Sequence, residues 1–142
     1  MFKHILVPTD GSKLSERAIK NSVRMAKTNN ARITALTVIP KFHTFGVALE
    51  STRDEYEAQV SAHAQCFVDF AHKVAAAAGV DCDSVKVVSD QPYKEIVKAA
   101  QKKGCDLILM ASHGRRGIEG FLIGSETQKV LTHSTVPVLV YR

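Results

Sequence analysis

The chain has 142 residues, 45% of them hydrophobic and 23% charged, and a formal net charge of +5 at pH 7. This length suits one domain over residues 1–142, large enough to bury about two thirds of its unfolded surface without disulfides or metals. No apolar run approaches the length of a membrane span, and the segment after Met1-Phe-Lys-His4 is too short for a signal peptide, so a cytosolic setting is expected. Cys66, Cys82 and Cys105 are odd in number and form no CxxC pair. That argues against a disulfide framework or zinc ribbon, and the three are expected as small packed thiols. The modest positive charge leaves nucleotide, nucleic acid and plain solubility open.

In chain order, Lys3–Pro8 reads as a first strand, a short apolar run ended by the turn residues Pro8-Thr9-Asp10-Gly11. Ser12 is a candidate N-cap for a helix to about Thr28, whose face carries Leu14, Ala18, Met25 and Ala26, with Ile19 and Val23 alongside. Ala31–Val38 is the second strand. Pro40 to about Ser51 has no period and is the longest expected loop, of the kind often used as a lid or binding loop. A long helix follows to Ala78, with a stripe at Val60, Ala64, Phe67, Ala71, Val74 and Ala78, and Gly79 stops it. Cys66 would pack beside that stripe. Ser84–Val88 is the third strand. Pro92 opens the next helix, Ile96, Val97, Ala99 and Ala100 give its buried side, and Gly104 ends it. Asp106–Ala111 is the fourth strand, apolar enough to be covered on both faces. Ser125 to about Thr132 is a short helix, and Val136–Tyr141 is the last strand.

Strands alternating with helices predict parallel pairing through right-handed crossovers, hence an open α/β sheet with helices on both faces. In such sheets ligands bind beyond the carboxyl ends of the strands, where the winding direction reverses. Ala111 to Thr127 is the unusual stretch: four of the eight glycines fall between Gly114 and Gly124, next to Arg115 and Arg116. A strand running into a Gly-rich loop and then a helix N-terminus suits an anion, because the backbone can approach closely and free N–H groups face it. The segment is not a Walker A loop, which needs GxxxxGK[ST]. Nor does GxGxxG follow the first strand. What stands there is Gly114, nine residues, then Gly124-Ser125, with Ala111 three residues before Gly114.

Over essentially its full length the chain resembles the universal stress proteins, in their nucleotide-binding branch. The likeness rests on Ile5-Leu-Val-Pro-Thr-Asp-Gly-Ser12, Asp106-Leu-Ile-Leu-Met-Ala-Ser-His-Gly114, Gly124-Ser125 and Val136-Pro-Val-Leu-Val140. That branch reads Gly, two residues, Gly, nine residues, Gly, then Ser or Thr; here Ala111 replaces the first Gly. The resemblance implies a single-domain, Rossmann-like, five-stranded sheet in the order 3-2-1-4-5, of the adenine nucleotide alpha hydrolase type. It also implies ATP in the crevice between strands one and four. Asp10, in the segment Pro8-Thr9-Asp10, and the main chain at Val38 would meet the adenine side. Ala111, His113, Gly114 and Arg115 would line ribose and phosphates, and Gly124, Ser125 and Glu126 would receive the phosphates. The resemblance admits a magnesium or manganese ion held mostly by phosphate oxygens; the residues show no metal site of their own. It further implies a homodimer through the last strand and a stress-response role through nucleotide sensing and protein partners.

Each of these residues also has a plainer reading. Asp10 alone could cap the turn, Arg115 and Arg116 could be a solvated basic loop, and His113 could be polar lining. With no pair set up to activate water or a hydroxyl, catalysis is expected to be slow hydrolysis or autophosphorylation at most, with Ser125 as acceptor. The alternative function is an interaction module of the same family in which Ala111 marks a lost nucleotide site. The scatter of basic residues over several helices argues against a nucleic-acid surface.

Overall fold

The computed structural model describes residues 1–43, 50–114 and 123–142, without the side chains of residues 50 and 51. Five strands, β1 (His4–Pro8), β2 (Arg32–Ile39), β3 (Cys82–Val88), β4 (Leu107–Ala111) and β5 (Val138–Tyr141), alternate with four helices. These are α1 (Lys13–Asn29), α2 (Glu50–Ala78), α3 (Pro92–Lys103) and α4 (Ser125–His133). All strand pairings are parallel, as the alternation of strands and helices predicts, and the sheet order is β3-β2-β1-β4-β5, as the family resemblance implies.

The strand period of two divides the core into two layers. Ile5, Val7, Ile33, Leu107 and Leu109 point to the layer packed by α1 and α2. Leu6, Leu36, Ile108 and Met110 point to the layer packed by α3 and α4. Being covered on both faces, β4 and the Ile5–Val7 part of β1 are unbroken apolar runs. The chain winds outward from β1 to β3 and then returns to place β4 beside β1, so the winding reverses between these two strands.

Four local expectations are corrected. β3 starts at Cys82, two residues early, because Asp83 belongs to the ladder opposite Thr34, and its carboxylate accepts from the Thr34 hydroxyl and from Lys103 Nζ at 2.7 Å. β5 starts at Val138; the Pro137 carbonyl still accepts from Ile108 N at 2.9 Å, but proline has no N–H to donate. On α2 the deeply buried row is Ala64, Val68, Ala71 and Ala75, while Phe67, Val74 and Ala78 are half-buried beside it. Cys66 is accordingly exposed rather than packed. Of the long loop expected from Pro40 to Ser51, residues 44–49 lie outside the described residues, and α2 already begins at Glu50.

The end of the sheet away from the β1–α1 and β4–α4 loops is held by polar contacts. Buried His4 donates from Nε2 to Thr34 Oγ1 at 2.7 Å, since that hydroxyl gives its own proton to Asp83. Asp106 accepts from the main-chain N–H groups of Lys3 and His4 at 2.8 and 3.0 Å, tying the start of β4 to the start of β1.

Candidate functional site

Pro8 closes β1 opposite Leu36, and the chain leaves the sheet at Thr9. Thr9 is buried and fixed on all sides. Its N–H donates to Leu36 O at 2.8 Å, its carbonyl accepts from Thr37 Oγ1 at 3.2 Å, and its hydroxyl meets Ser15 Oγ at 3.2 Å. Asp10 then turns the chain: Oδ1 accepts from Ser12 N at 3.0 Å, the Asx-type bond that lets this residue mimic a backbone turn. Gly11 follows at φ +77, with the Phe67 ring so close that a Cβ would fall 2.1 Å from its Cε1. Ser12 caps α1 by accepting from Ser15 N at 3.1 Å.

Across the crevice, Ala111 ends β4 opposite Tyr141. Its carbonyl accepts from Thr127 Oγ1 at 3.0 Å, and its methyl group belongs to the apolar layer beneath α1. The only non-glycine residue with positive φ among those described is Asn30, so Ala111 sits in ordinary strand geometry. Ser112 is buried, donates from N to Tyr141 O at 2.7 Å and accepts from Gly124 N at 2.7 Å. Its hydroxyl bonds His113 Nδ1 at 2.9 Å. At 2% exposure that hydroxyl is not placed to attack a ligand.

The two loops touch. A Cβ on Gly114 would lie 2.2 Å from Asp10 Oδ2, so the carboxylate at the end of β1 closes over the glycine after β4. Gly124 is constrained less severely but by main-chain partners: a Cβ there would be 3.1 Å from both Ser112 O and His113 Cα. Its φ of −60 and ψ of 153 fit any residue, so glycine serves close approach here and not backbone conformation. Arg115, together with Arg116, lies outside the described residues.

Gly124 is also the N-cap of α4 and supplies no side-chain acceptor. The first N–H groups of a helix have no partner within the helix and carry the positive end of its dipole. In α1 the Ser12 hydroxyl satisfies one of them; among the described residues no side chain caps Ser125, Glu126 or Thr127 in this way. Ser125 is exposed at this end. The Glu126 carboxylate turns away from it, accepting from Tyr93 N at 3.0 Å and Lys129 Nζ at 3.1 Å. Only the Glu126 main chain faces the crevice end of α4.

Val38 lies beyond the last pairing of β1 with β2. Along β2 the even-numbered residues bond towards β1, as Arg32 N to Lys3 O and Leu36 O to Thr9 N show, and the odd-numbered ones towards β3. By that alternation the Val38 N–H and C=O point into the crevice past the end of β1, while its side chain joins the layer under α3. Asp90 was missed by the sequence reading. It accepts from Lys41 N at 3.1 Å and meets His43 Nε2 at 2.5 Å, joining the start of the β2–α2 loop to the β3–α3 loop. Partial desolvation acts to raise the Asp90 carboxyl, but the His43 and Lys41 donors outweigh it and hold the group below its ordinary value. Only a tertiary contact could reveal it. Among the described residues there is no cluster of three or more His, Cys, Asp or Glu side chains able to hold a metal.

A family model described as the universal stress protein family matches residues 1–142. Universal stress protein YxiE of Bacillus subtilis is 31% identical over 149 aligned residues, covering all of both chains. The solved structure of MJ0577, a protein of Methanocaldococcus jannaschii, is 32% identical and superposes with a TM-score of 0.84, covering 99% of this chain and 96% of that one. A universal stress protein solved in complex with cAMP is 27% identical with a TM-score of 0.74, covering 99% and 97% of the two chains.

Proposed function

The chain belongs to the universal stress protein family, and from that membership and the crevice between β1 and β4 we propose that it binds ATP there and works as a nucleotide-responsive regulator. The observation that carries this reading is the N-terminus of α4, which no side chain among the described residues caps and which lies beside glycines that admit no Cβ without displacement. An anion at that point satisfies N–H groups that the fold leaves over. The cAMP complex of a relative supports an adenine nucleotide as the kind of ligand.

In this reading Asp10 and the Val38 main chain hold the adenine side, with Pro8 and Thr9 setting their position. Ala111, His113, Gly114 and Arg115 line ribose and phosphates. Gly124, Ser125 and the main chain of Glu126 take the phosphates. The residues fit the group: a hydroxyl, main-chain donors and a positive helix end face one crevice. A magnesium or manganese ion would be held mainly by phosphate oxygens. The rival reading, an interaction module that has lost its site, rests on Ala111. Its methyl group enters the core under α1 and leaves the crevice side free, which favours retained binding. We further read the chain as one cytosolic domain that dimerises through β5 and signals through protein partners. Among the described residues no helix is long and apolar enough to cross a membrane.

Titration calorimetry with ATP and magnesium tests the proposal. Saturable binding that Gly124→Val abolishes is the expected result. No heat with the wild-type protein, or unchanged affinity in a folded Gly124→Val variant, overturns it.

A further inference from the structure

We propose that the groove between α1 and α2 docks an acidic amphipathic helix of a partner protein, an interaction separate from the nucleotide crevice. Lys13, Arg17, Lys20, Arg24 and Lys27 follow one another along α1 at steps of four, three, four and three, and all are exposed. That spacing puts them on one face, a stripe about 21 Å long at helical rise. Lys73 of α2 stands on the opposite bank. Among the described residues no salt bridge involves any of the six, and no residue lining the groove is acidic. Like charges three and four apart on a helix repel, so the stripe costs the free protein stability that an anionic partner would restore.

Between these cations the groove has an apolar floor of Val23, Phe70, Val74 and Ala77. Lys20 Nζ stands over the Phe70 ring at 5.9 Å from its centre, at the edge of a cation–π contact, so that this flexible side chain borders the floor and can swing aside for a partner. The combination selects the occupant. Nucleic acid or an anionic bilayer would meet the cations but would leave the trough between two convex helices unfilled. A helix with an apolar ridge and acidic flanks fills it as a third packed helix and pairs with both banks.

The probe is a fluorescent synthetic peptide of about 18 residues, long enough to cover the stripe, with leucines on one helical face and glutamates on its flanks. Anisotropy should show saturable binding to the wild-type protein. Binding should weaken about tenfold or more in Arg24→Glu/Lys27→Glu, and likewise in Ala77→Glu, which places an acid on the floor. These positions are exposed, and unchanged far-ultraviolet circular dichroism checks that each variant is folded. Three results overturn the proposal: no binding to the wild-type protein, equal binding of a scrambled peptide of the same charge, or tighter binding of duplex DNA or phosphatidylserine vesicles than of the peptide.

Discussion

At Gly124 an added methyl group would press on Ser112 O and His113 Cα at 3.1 Å, and both are main-chain neighbours with little freedom to move. Alanine should therefore weaken ATP binding severalfold and valine abolish it, with the thermal midpoint nearly unchanged because the crowding is confined to the loop. Gly11 differs in mechanism, since φ +77 and the Phe67 ring both exclude a side chain. Gly11→Ala is expected to cost about 2 kcal/mol or more in urea unfolding. In a Phe67→Ala background the clash is gone, and the additional cost of Gly11→Ala there falls to the conformational part, about 1 kcal/mol or somewhat more. The cysteines separate by burial: Cys66 is exposed, whereas burial pushes the thiols of Cys82 and Cys105 up to about 11. Limited iodoacetamide at neutral pH should label Cys66 alone, read by peptide mass mapping; early labelling of Cys105 would contradict the packing. Gly114 and Gly124 were legible from their spacing, because a short motif records a local constraint. The Gly11–Phe67 contact was not, since nothing in the sequence brings the middle of α2 over the β1–α1 loop.

Among the elements, α1 and α4 begin differently. Ser12→Ala removes the cap of α1 and should cost about 1 kcal/mol. Glu126 is the acceptor for Tyr93 N at the start of α3, whose own N-cap Gln91 makes no side-chain bond. Glu126→Ala should cost about 1 kcal/mol of stability while changing ATP affinity little, because only its main chain faces the crevice. A large loss of ATP binding in calorimetry would show that the carboxylate takes part. The expected α2 stripe shares Ala64 and Ala71 with the deeply buried row but takes Phe67, Val74 and Ala78 in place of Val68 and Ala75, because alanines occupy several faces of that helix. Periodicity then identifies a helix without fixing its rotation. Packing against the sheet selects Ala64, Val68, Ala71 and Ala75.

For the molecule as a whole, the polar contacts at the lower end of the sheet set the response to acid. Burial, helped by the Arg32 charge, holds His4 below its ordinary value of 6.5. The unfolded chain therefore takes up a proton there before the native state does, and stability falls as pH drops below 6.5. Asp83 is also held low: its burial acts in the opposite sense but is outweighed by Lys103 and Thr34. Asp106 is held low in the same way by the His4 and Lys3 amides against its own burial. Their contributions are present above the ordinary carboxylate value of 3.8 and fade as pH falls through the lower native values. All three shifts act in the same direction, so the thermal midpoint should decline from pH 7 to 5 and further below 4. His4→Gln should flatten the first part, leaving the second. The assembly has its own test. In β5 the odd-numbered residues bond β4, as Pro137 and Tyr141 show, so the Val140 N–H faces the open sheet edge. Val140→Pro removes an edge donor without taking one from the β4 ladder. Sedimentation should show a dimer for the wild type and a monomer for this variant.

The sequence by itself determined the alternation of strands and helices, the two-sided burial of β4 and the spacing of the glycine loop. These are properties of neighbouring residues, and local periodicity and backbone preference encode them. The strand order entered only through the family likeness. The tertiary structure decided that Asp10 closes over Gly114, that the Ala111 methyl enters the core, that Glu126 turns to α3 and that Asp83 joins the ladder. Each of these depends on which distant segment arrives at the same place, and that is fixed only when the sheet assembles around the reversal between β1 and β4.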